Sequence, residues 1–588
     1  MPDWSYHGIF KPILMKLPPV VSREFIHRGM NTIASIPFGV GENIINFLGR
    51  EECSPYLQTE QMDVLFRNPV GLSGKLDPNL SGTRAFSNLG FGFIEVGPVT
   101  WEPIHSSETP IVREDTATIH FPKETIGFKK ALEKIENTPV KQPLFVRLLG
   151  TKDELETMAK GFEHLVAGFI LESSDVKSLG LKNKPFLLSI EKVGSLPVSD
   201  LAHFSGFLVE ETNGKKNLLK EIQLLRKMGL EKTIISSGGI NTPADALELK
   251  DAGADLLLLK EGYVFSGPGL TKRINEALLD RKEVTPHIQE GWFAYWLFGM
   301  FVFLGGILAL LFSITSIILP YDEHFLGVKK EEIWLFNERI MLFMAHDRMT
   351  LAGTMISGGI VYMQLARYGV KRGLKWAKQA IDIAAILGFL GIFAFIGYGY
   401  FDWLHLLFWL VLLPVYLYGC WKTKRISGTP ASPNLHNDYA WKLGIYGQLA
   451  FVLLGFSFVL GGIIISYIGV SIVFVSTDIQ YICMPPEMLE SFNQNLIPVL
   501  AHDRAGFGSA LLSVGLLVLT LSLWGFQQGN RWVWWTFFIG GLPAFNAGIY
   551  IHFAIGYTTF IHLVPAYIAL GLYIAGLVLA YNYLHKKK

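Results

Sequence analysis

Two hydrophobic patterns divide this chain. From about residue 60 to 285, short apolar runs alternate with segments whose apolar positions recur every three or four residues. The runs are FGFIEVG, PLFVRLLG, HLVAGFILES, KPFLLSIE, SGFLVEE, TIISSGG and ADLLLLKEG, with amphipathic stretches such as 128–137 and 214–229 between them. Strands alternating with helices predict an α/β unit with a parallel sheet. The late turn at Gly238-Gly239, followed by AGADLLLL and Gly267-Pro268-Gly269, matches the phosphate-binding end of a (β/α)8 barrel and favours that form over a doubly wound sheet.

After Glu290 the pattern becomes nearly continuous apolar sequence. A helix needs about 20 mostly apolar residues to cross the hydrocarbon core. Stretches near 294–319, 347–366, 378–398, 403–421, 441–469, 503–526, 532–555 and 558–583 qualify, which predicts an all-α membrane domain of eight helices. Trp403, Trp441, Trp532, Trp534 and Trp535 fall at span starts, where aromatic belts form. Arg367, Lys371, Arg372, Lys375 and Lys378 follow the second span, Lys422, Lys424 and Arg425 the fourth, Arg531 the sixth, and Lys586 to Lys588 close the chain. Basic loops stay inside, so the first domain and the C-terminus are expected in the cytoplasm of an inner or plasma membrane protein. The segment MPDWSYHGIFKPILMKLPPVV lacks the apolar core and cleavage site of a secretory signal.

The membrane half repeats itself. An offset of 156 residues pairs Leu304-Gly305-Gly306-Ile307 with Leu460-Gly461-Gly462-Ile463, Phe336-Asn337 with Phe492-Asn493, and Ala345-His346-Asp347-Arg348 with Ala501-His502-Asp503-Arg504. At 157, GYFDWLHLL (399–407) matches GYTTFIHLV (556–564). Each copy holds four spans, so the copies share one orientation and form two parallel four-helix repeats. Orientation then places His346, His405, His502 and His562 near the outer face, with Asp347 and Asp503 beside two of them. That predicts a pair of related sites, one per repeat, in which imidazole binds a metal, a quinone oxygen or a proton, oriented by the neighbouring aspartate. Alternatively, Asp and Arg complement the helix dipole and each other, and the histidines are merely interfacial. Their depth argues against haem.

Length requires several units, because a single core rarely exceeds about 250–300 residues. The expected divisions are a helical lid or membrane-docking segment at 1–50, the barrel at 51–285, and membrane repeats at 290–425 and 436–588. Hydrophobic residues make up 50% and charged residues 17% of the 588, and a net charge of +1 offers no field to attract nucleic acid. Cys53, Cys420 and Cys483 are too scattered for a zinc knuckle or a disulfide framework.

The motifs FKPILMKLPPVVSREF (10–25), FRNPVGL (66–72), LGFGFIEVGPVT (89–100), SSGGINTPADALELKDAGADLLLL (236–259) and SGPGL (266–270) carry a resemblance. Over residues 10–280 the chain resembles the membrane-associated, quinone-dependent dihydroorotate dehydrogenases. That resemblance implies FMN held by Gly71, Ser73, Thr100, Gly238, Gly239 and Lys260, a catalytic serine at Ser174, a quinone partner and a small-molecule substrate. Several positions depart from the family's pattern. Pro78 stands where a lysine contacts flavin and substrate, Glu124 and Lys129 replace substrate amides, Ser189 replaces a flavin lysine, Glu210-Glu211-Thr212 replaces Thr-Asn-Thr, and Lys260-Glu261 replaces Tyr-Thr. Two functions are therefore open: a membrane-bound flavin oxidoreductase linked to the quinone pool, or a ligand-sensing barrel without catalysis that regulates a membrane transporter, electron-transfer or sensory module.

Overall fold

The computed structural model describes residues 2–587 except 51, 107, 115–116, 175–180, 182–183, 196, 213, 230, 283–287, 392, 394–398 and 402. The chain forms two compact units, Met1–Val284 with Pro430–Trp441, and Thr285–Thr429 with Lys442–Lys588.

Eight parallel strands close the barrel of the first unit: β1 (Val70–Leu72), β2 (Phe93–Thr100), β3 (Leu144–Leu148), β4 (Gly168–Leu171), β5 (Phe186–Ile190), β6 (Gly206–Glu210), β7 (Thr233–Ser237) and β8 (Leu256–Leu259). Each pairs with its neighbours in sequence, and β8 returns to β1 through Leu258 opposite Gly71. Side chains alternate across a strand, so every second residue faces the interior. Phe93, Phe145, Ile170, Leu187, Leu208, Ile235, Leu256 and Leu258 fill the inside, capped by Phe66 of an antiparallel hairpin at 59–66. Gly71 makes room for them, because a Cβ there would lie 2.4 Å from the Phe93 ring. The alternate set, including Val96, Val146, Leu188 and Val209, packs against the surrounding helices. Two residues further along, the inward positions turn polar: Glu95, Arg147, Ser189, Glu210 and Lys260.

The first fifty residues are helical and latch onto this barrel. Asp3 pairs with Arg273 at 3.0 Å, and Lys11 donates to the Phe265 carbonyl at 2.9 Å. The helices Pro19–Ala34 and Val40–Gly49 and the turn between them nevertheless leave Val21, Phe25, Ile33, Phe38 and Ile44 exposed.

The second unit is helical: α1 (Trp292–Thr315), α2 (Glu338–Gln364), α3 (Lys375–Gly391), α4 (Trp403–Lys422), α5 (Tyr439–Val470), α6 (Leu496–Trp524), α7 (Arg531–Ala554) and α8 (Phe560–His585). Among the described residues seven of these helices are long and apolar enough to cross a membrane, where the apolar pattern predicted eight. The difference is α3, which has 17 described residues and runs into 392–398, most of which lie outside the described part. Helices α2 and α6 form the centre, while the others turn apolar residues such as Leu308, Leu410, Leu460, Ile539 and Ile568 outward. Nonpolar exposure on this scale is what lipid covers.

The 156-residue correspondence is visible bond by bond. Asn337 donates to the Ile482 carbonyl at 2.9 Å, and Asn493 donates to the Leu326 carbonyl at 2.8 Å. Phe336 and Phe492 stack on each other with centroids 4.0 Å apart, which puts equivalent residues of the two copies in direct contact.

Candidate functional site

Among the described residues, two places bring together the side chains that the sequence singles out. The first is the mouth of the barrel at the C-terminal strand ends, where barrel chemistry is normally built. Arg147, almost fully buried, donates to Glu95 at 2.6 Å, to Glu172 at 3.2 Å and to Glu210. Lys75 reaches Glu210 from the other side at 2.7 Å, and Ser73 donates to Glu95 at 2.9 Å. Burial alone would raise the Glu210 carboxyl, but Arg147 and Lys75 hold it well below the usual carboxylate range. These pairs plug the barrel interior with charge. Above them opens a cavity of about 1360 Å³ whose wall includes Glu102, Glu124, Glu154, Glu191, Glu211 and Glu261, against Arg23, Arg113, Lys123 and Lys260.

No family model matches the sequence. The first half of the chain resembles the quinone-dependent dihydroorotate dehydrogenases. It is 25% identical to the dihydroorotate dehydrogenase (quinone) of Christiangramia forsetii, over 47% of this chain and 99% of that protein. For the protein of the same description from Nitratiruptor the identity is 24%, over 49% and 98%. Among solved structures, the ligand-free DHODH from Eimeria tenella has a TM-score of 0.36 at 18% identity, covering 41% of this chain and 95% of that one.

The residues that the resemblance assigns to FMN are engaged elsewhere. The Gly238 N–H donates to the Leu258 carbonyl at 3.2 Å, and the Gly239 N–H bonds the Glu211 carboxylate. Glu211 Oε2 lies 3.1 Å from where a Cβ on Gly238 would stand, so this carboxylate lies against the glycine turn. Burial, and then the neighbouring Glu261, raise the Glu211 carboxyl. Lys260 is paired with Glu261 at 2.8 Å. Thr100 donates to the Glu102 carbonyl at 2.5 Å, Ser73 serves Glu95, and Gly71 is buried in its strand against Phe93. Ser174 is half-buried beyond β4 and does not line the cavity, while Asp175 and Val176 lie outside the described residues. A flavin phosphate would meet two carboxylates at the glycine turn. The residues present do not fit it.

The second place is the end of the helical unit opposite the basic loops, where the two copies meet. Arg348 pairs with Asp503 of the other repeat at 2.7 Å and with Asp322 of its own at 2.8 Å. Reciprocally, Arg504 pairs with Asp347 at 3.4 Å and with Asp478 at 2.5 Å. Each arginine also donates to a carbonyl 31 residues earlier, Ile317 or Val473, both held at positive φ. Such a conformation in a β-branched residue costs roughly 1–3 kcal/mol and persists where surrounding bonds enforce it. Tyr400 and Tyr557 complete the arrangement by donating to Asp322 and Asp478.

The repeated histidines fall into two groups around these pairs. His346 bonds Asp347 at 2.8 Å and meets His562, with ring centroids 5.9 Å apart. His502 bonds Asp503 at 3.2 Å and meets His405, with centroids 5.0 Å apart. The six residues singled out in the sequence thus converge in two groups of three, each drawn from both copies and not from one repeat, because the helices of the two copies cross here. A seventh, His552 on α7, escaped notice; its Nε2 lies 3.0 Å from that of His346. Its aligned position in the first copy is Phe395, so the repeat could not reveal it. A cavity of about 280 Å³ extends from Arg348, His405, His502 and Asp503 into an apolar interior lined by Phe298, Leu308, Phe389 and Trp409.

Removing Arg147 leaves Glu95 buried without its cation, so Arg147→Met should destabilise the barrel by about 3–5 kcal/mol, read as faster hydrogen exchange in β2, β3 and β6. In the unaltered protein the depressed Glu210 contributes stability that is complete above its unfolded value of about 4.3 and is lost as pH falls through the folded one. Barrel exchange should therefore accelerate on acidification below about pH 4 and not on moving from pH 6 to 8.

Proposed function

We propose that this chain is an integral membrane protein whose dihydroorotate dehydrogenase-like barrel works as a ligand-binding unit without flavin, and whose duplicated helical unit carries the functional centre. The observation that carries this reading is the Glu211 carboxylate bound at the Gly238-Gly239 turn, with Glu261 beside it. Backbone N–H groups of a glycine turn are built to receive an anion. Here the protein supplies its own. The acid-lined cavity above would concentrate a small cationic metabolite and repel orotate-like carboxylates and phosphates.

A second reading, a flavin oxidoreductase passing electrons to quinone, has its own support. The sequence likeness spans nearly the full length of relatives described as dihydroorotate dehydrogenase (quinone), and the apolar cavity ending at His405 and His502 has the size and polarity for a quinone ring. The membrane would be an inner or plasma membrane. Basic residues after α2, after α4 and at the C-terminus favour a cytoplasmic barrel unit and histidines at the outer side.

Purified full-length protein should lack the flavin absorbance bands and should not reduce a soluble quinone with dihydroorotate; stoichiometric FMN with turnover would replace the first reading by the second. Reporter fusions after Lys375 and after Glu331 should report cytoplasm and exterior respectively, and the opposite result would invert the topology.

A further inference from the structure

The three imidazoles that meet at the repeat junction have a geometry that packing alone does not explain. His346 on α2, His552 on α7 and His562 at the start of α8 each present one ring nitrogen, and these nitrogens lie within 4.8 Å of one another. An ion about 2.0–2.1 Å from each imidazole nitrogen in tetrahedral geometry separates them by about 3.3 Å, inside that span.

The hydrogen bonds on the far sides of the rings decide which nitrogens face the centre. His346 Nδ1 is 2.8 Å from Asp347 Oδ1, and His552 Nδ1 is 2.5 Å from the Gly548 carbonyl. A carboxylate and a carbonyl only accept, so both Nδ1 atoms carry the proton. In the neutral rings the two Nε2 atoms then direct lone pairs at each other across 3.0 Å. That contact is repulsive unless a cation stands against it. An outer carboxylate and an outer carbonyl fixing Nδ1–H while Nε2 points inward is also the usual support of a metal-bound histidine.

Charge points the same way. Asp322, Asp347, Asp478 and Asp503 are buried here, and among the described residues only Arg348 and Arg504 pair with them as permanent cations, leaving two negative charges in excess. A group of buried carboxylates in a membrane helix bundle has to be neutralised. Tyr557 stacks on the His562 ring with centroids 4.2 Å apart, while its hydroxyl is committed to Asp478 at 2.7 Å; it positions a ligand and does not become one.

We propose that His346, His552 and His562 bind one divalent transition-metal ion of the zinc class, with a fourth coordination position left for water or substrate. The site is single. In sequence the 157-residue offset aligns His552 with Phe395, and the apolar cavity beside His405 and His502 is lined by no third histidine. The duplication has thus diverged into one metal site and one pocket for an apolar molecule. Nothing in this assignment depends on whether the barrel holds flavin.

The test is metal stoichiometry on the full-length protein in detergent, stripped with chelator, reloaded with Zn²⁺ or Co²⁺ and desalted, with Co²⁺ absorption reporting nitrogen ligation. One ion per chain is expected. His552→Phe, the residue that the 157-residue offset aligns with it, and His562→Gln should each weaken binding at least tenfold in protein that stays monodisperse, and His405→Gln should leave it unchanged. No bound ion in monodisperse protein would mean that a proton fills the gap and would overturn the proposal. Two ions per chain, or unchanged binding in both His552→Phe and His562→Gln, would overturn it as well.

Discussion

The crossed ion pairs between Arg348 and Asp503 and between Arg504 and Asp347 are the constraint on which the helical unit depends. Lipid offers no hydrophobic drive for helices to associate, so packing and polar contacts must hold the copies together. A buried guanidinium deprived of its carboxylate costs about 3–5 kcal/mol, so each arginine requires the opposite copy to be in place. Each arginine also reaches back to its own Asp322 or Asp478 and to the strained carbonyl of Ile317 or Val473. One side chain therefore ties together the central helix, the short helical segment before it and the partner repeat. The histidines inherit their positions from this arrangement, because each repeated His-Asp pair sits one residue before its arginine.

The barrel unit solves a different problem with related means. Its interior is apolar at the hairpin end and charged at the other, where Arg147 gathers Glu95, Glu172 and Glu210. Those charges, and Glu211 on the glycine turn, line the mouth of the barrel. Sequence likeness and site chemistry part at that turn: Glu210, Glu211 and Glu261 stand where the resemblance expects neutral side chains. Fold likeness by itself does not carry function across such a change.

Much of this was legible in the sequence, for physical reasons. Strands such as PLFVRLLG are buried on both faces, so they stand out as apolar runs. Spans stand out because lipid tolerates little else. The shared offset related His346 to His502 and His405 to His562, but it did not show that each of these histidines meets one from the other copy. What escaped were relations set only by three-dimensional crossing. Nothing in the run AHDR says that its arginine bonds the aspartate of the other copy, and Asp322 and Asp478 lie 26 residues upstream, outside any shared motif. His552 was hidden because the repeat differs there. Gly238 and Gly239 read as free donors because the carboxylate that engages Gly239 comes from a different strand end, at Glu211.

Whether the crossed pairs clamp the two copies can be read from a double-mutant cycle on Arg348 and Asp503. Thermal unfolding would be compared for the full-length protein in detergent, for Arg348→Gln, for Asp503→Asn and for the combined variant. With the clamp in place, the double variant should be less destabilised than the sum of the single ones by about 1 kcal/mol or more. Additivity to within about 0.3 kcal/mol would mean that the two residues act independently, and would contradict it.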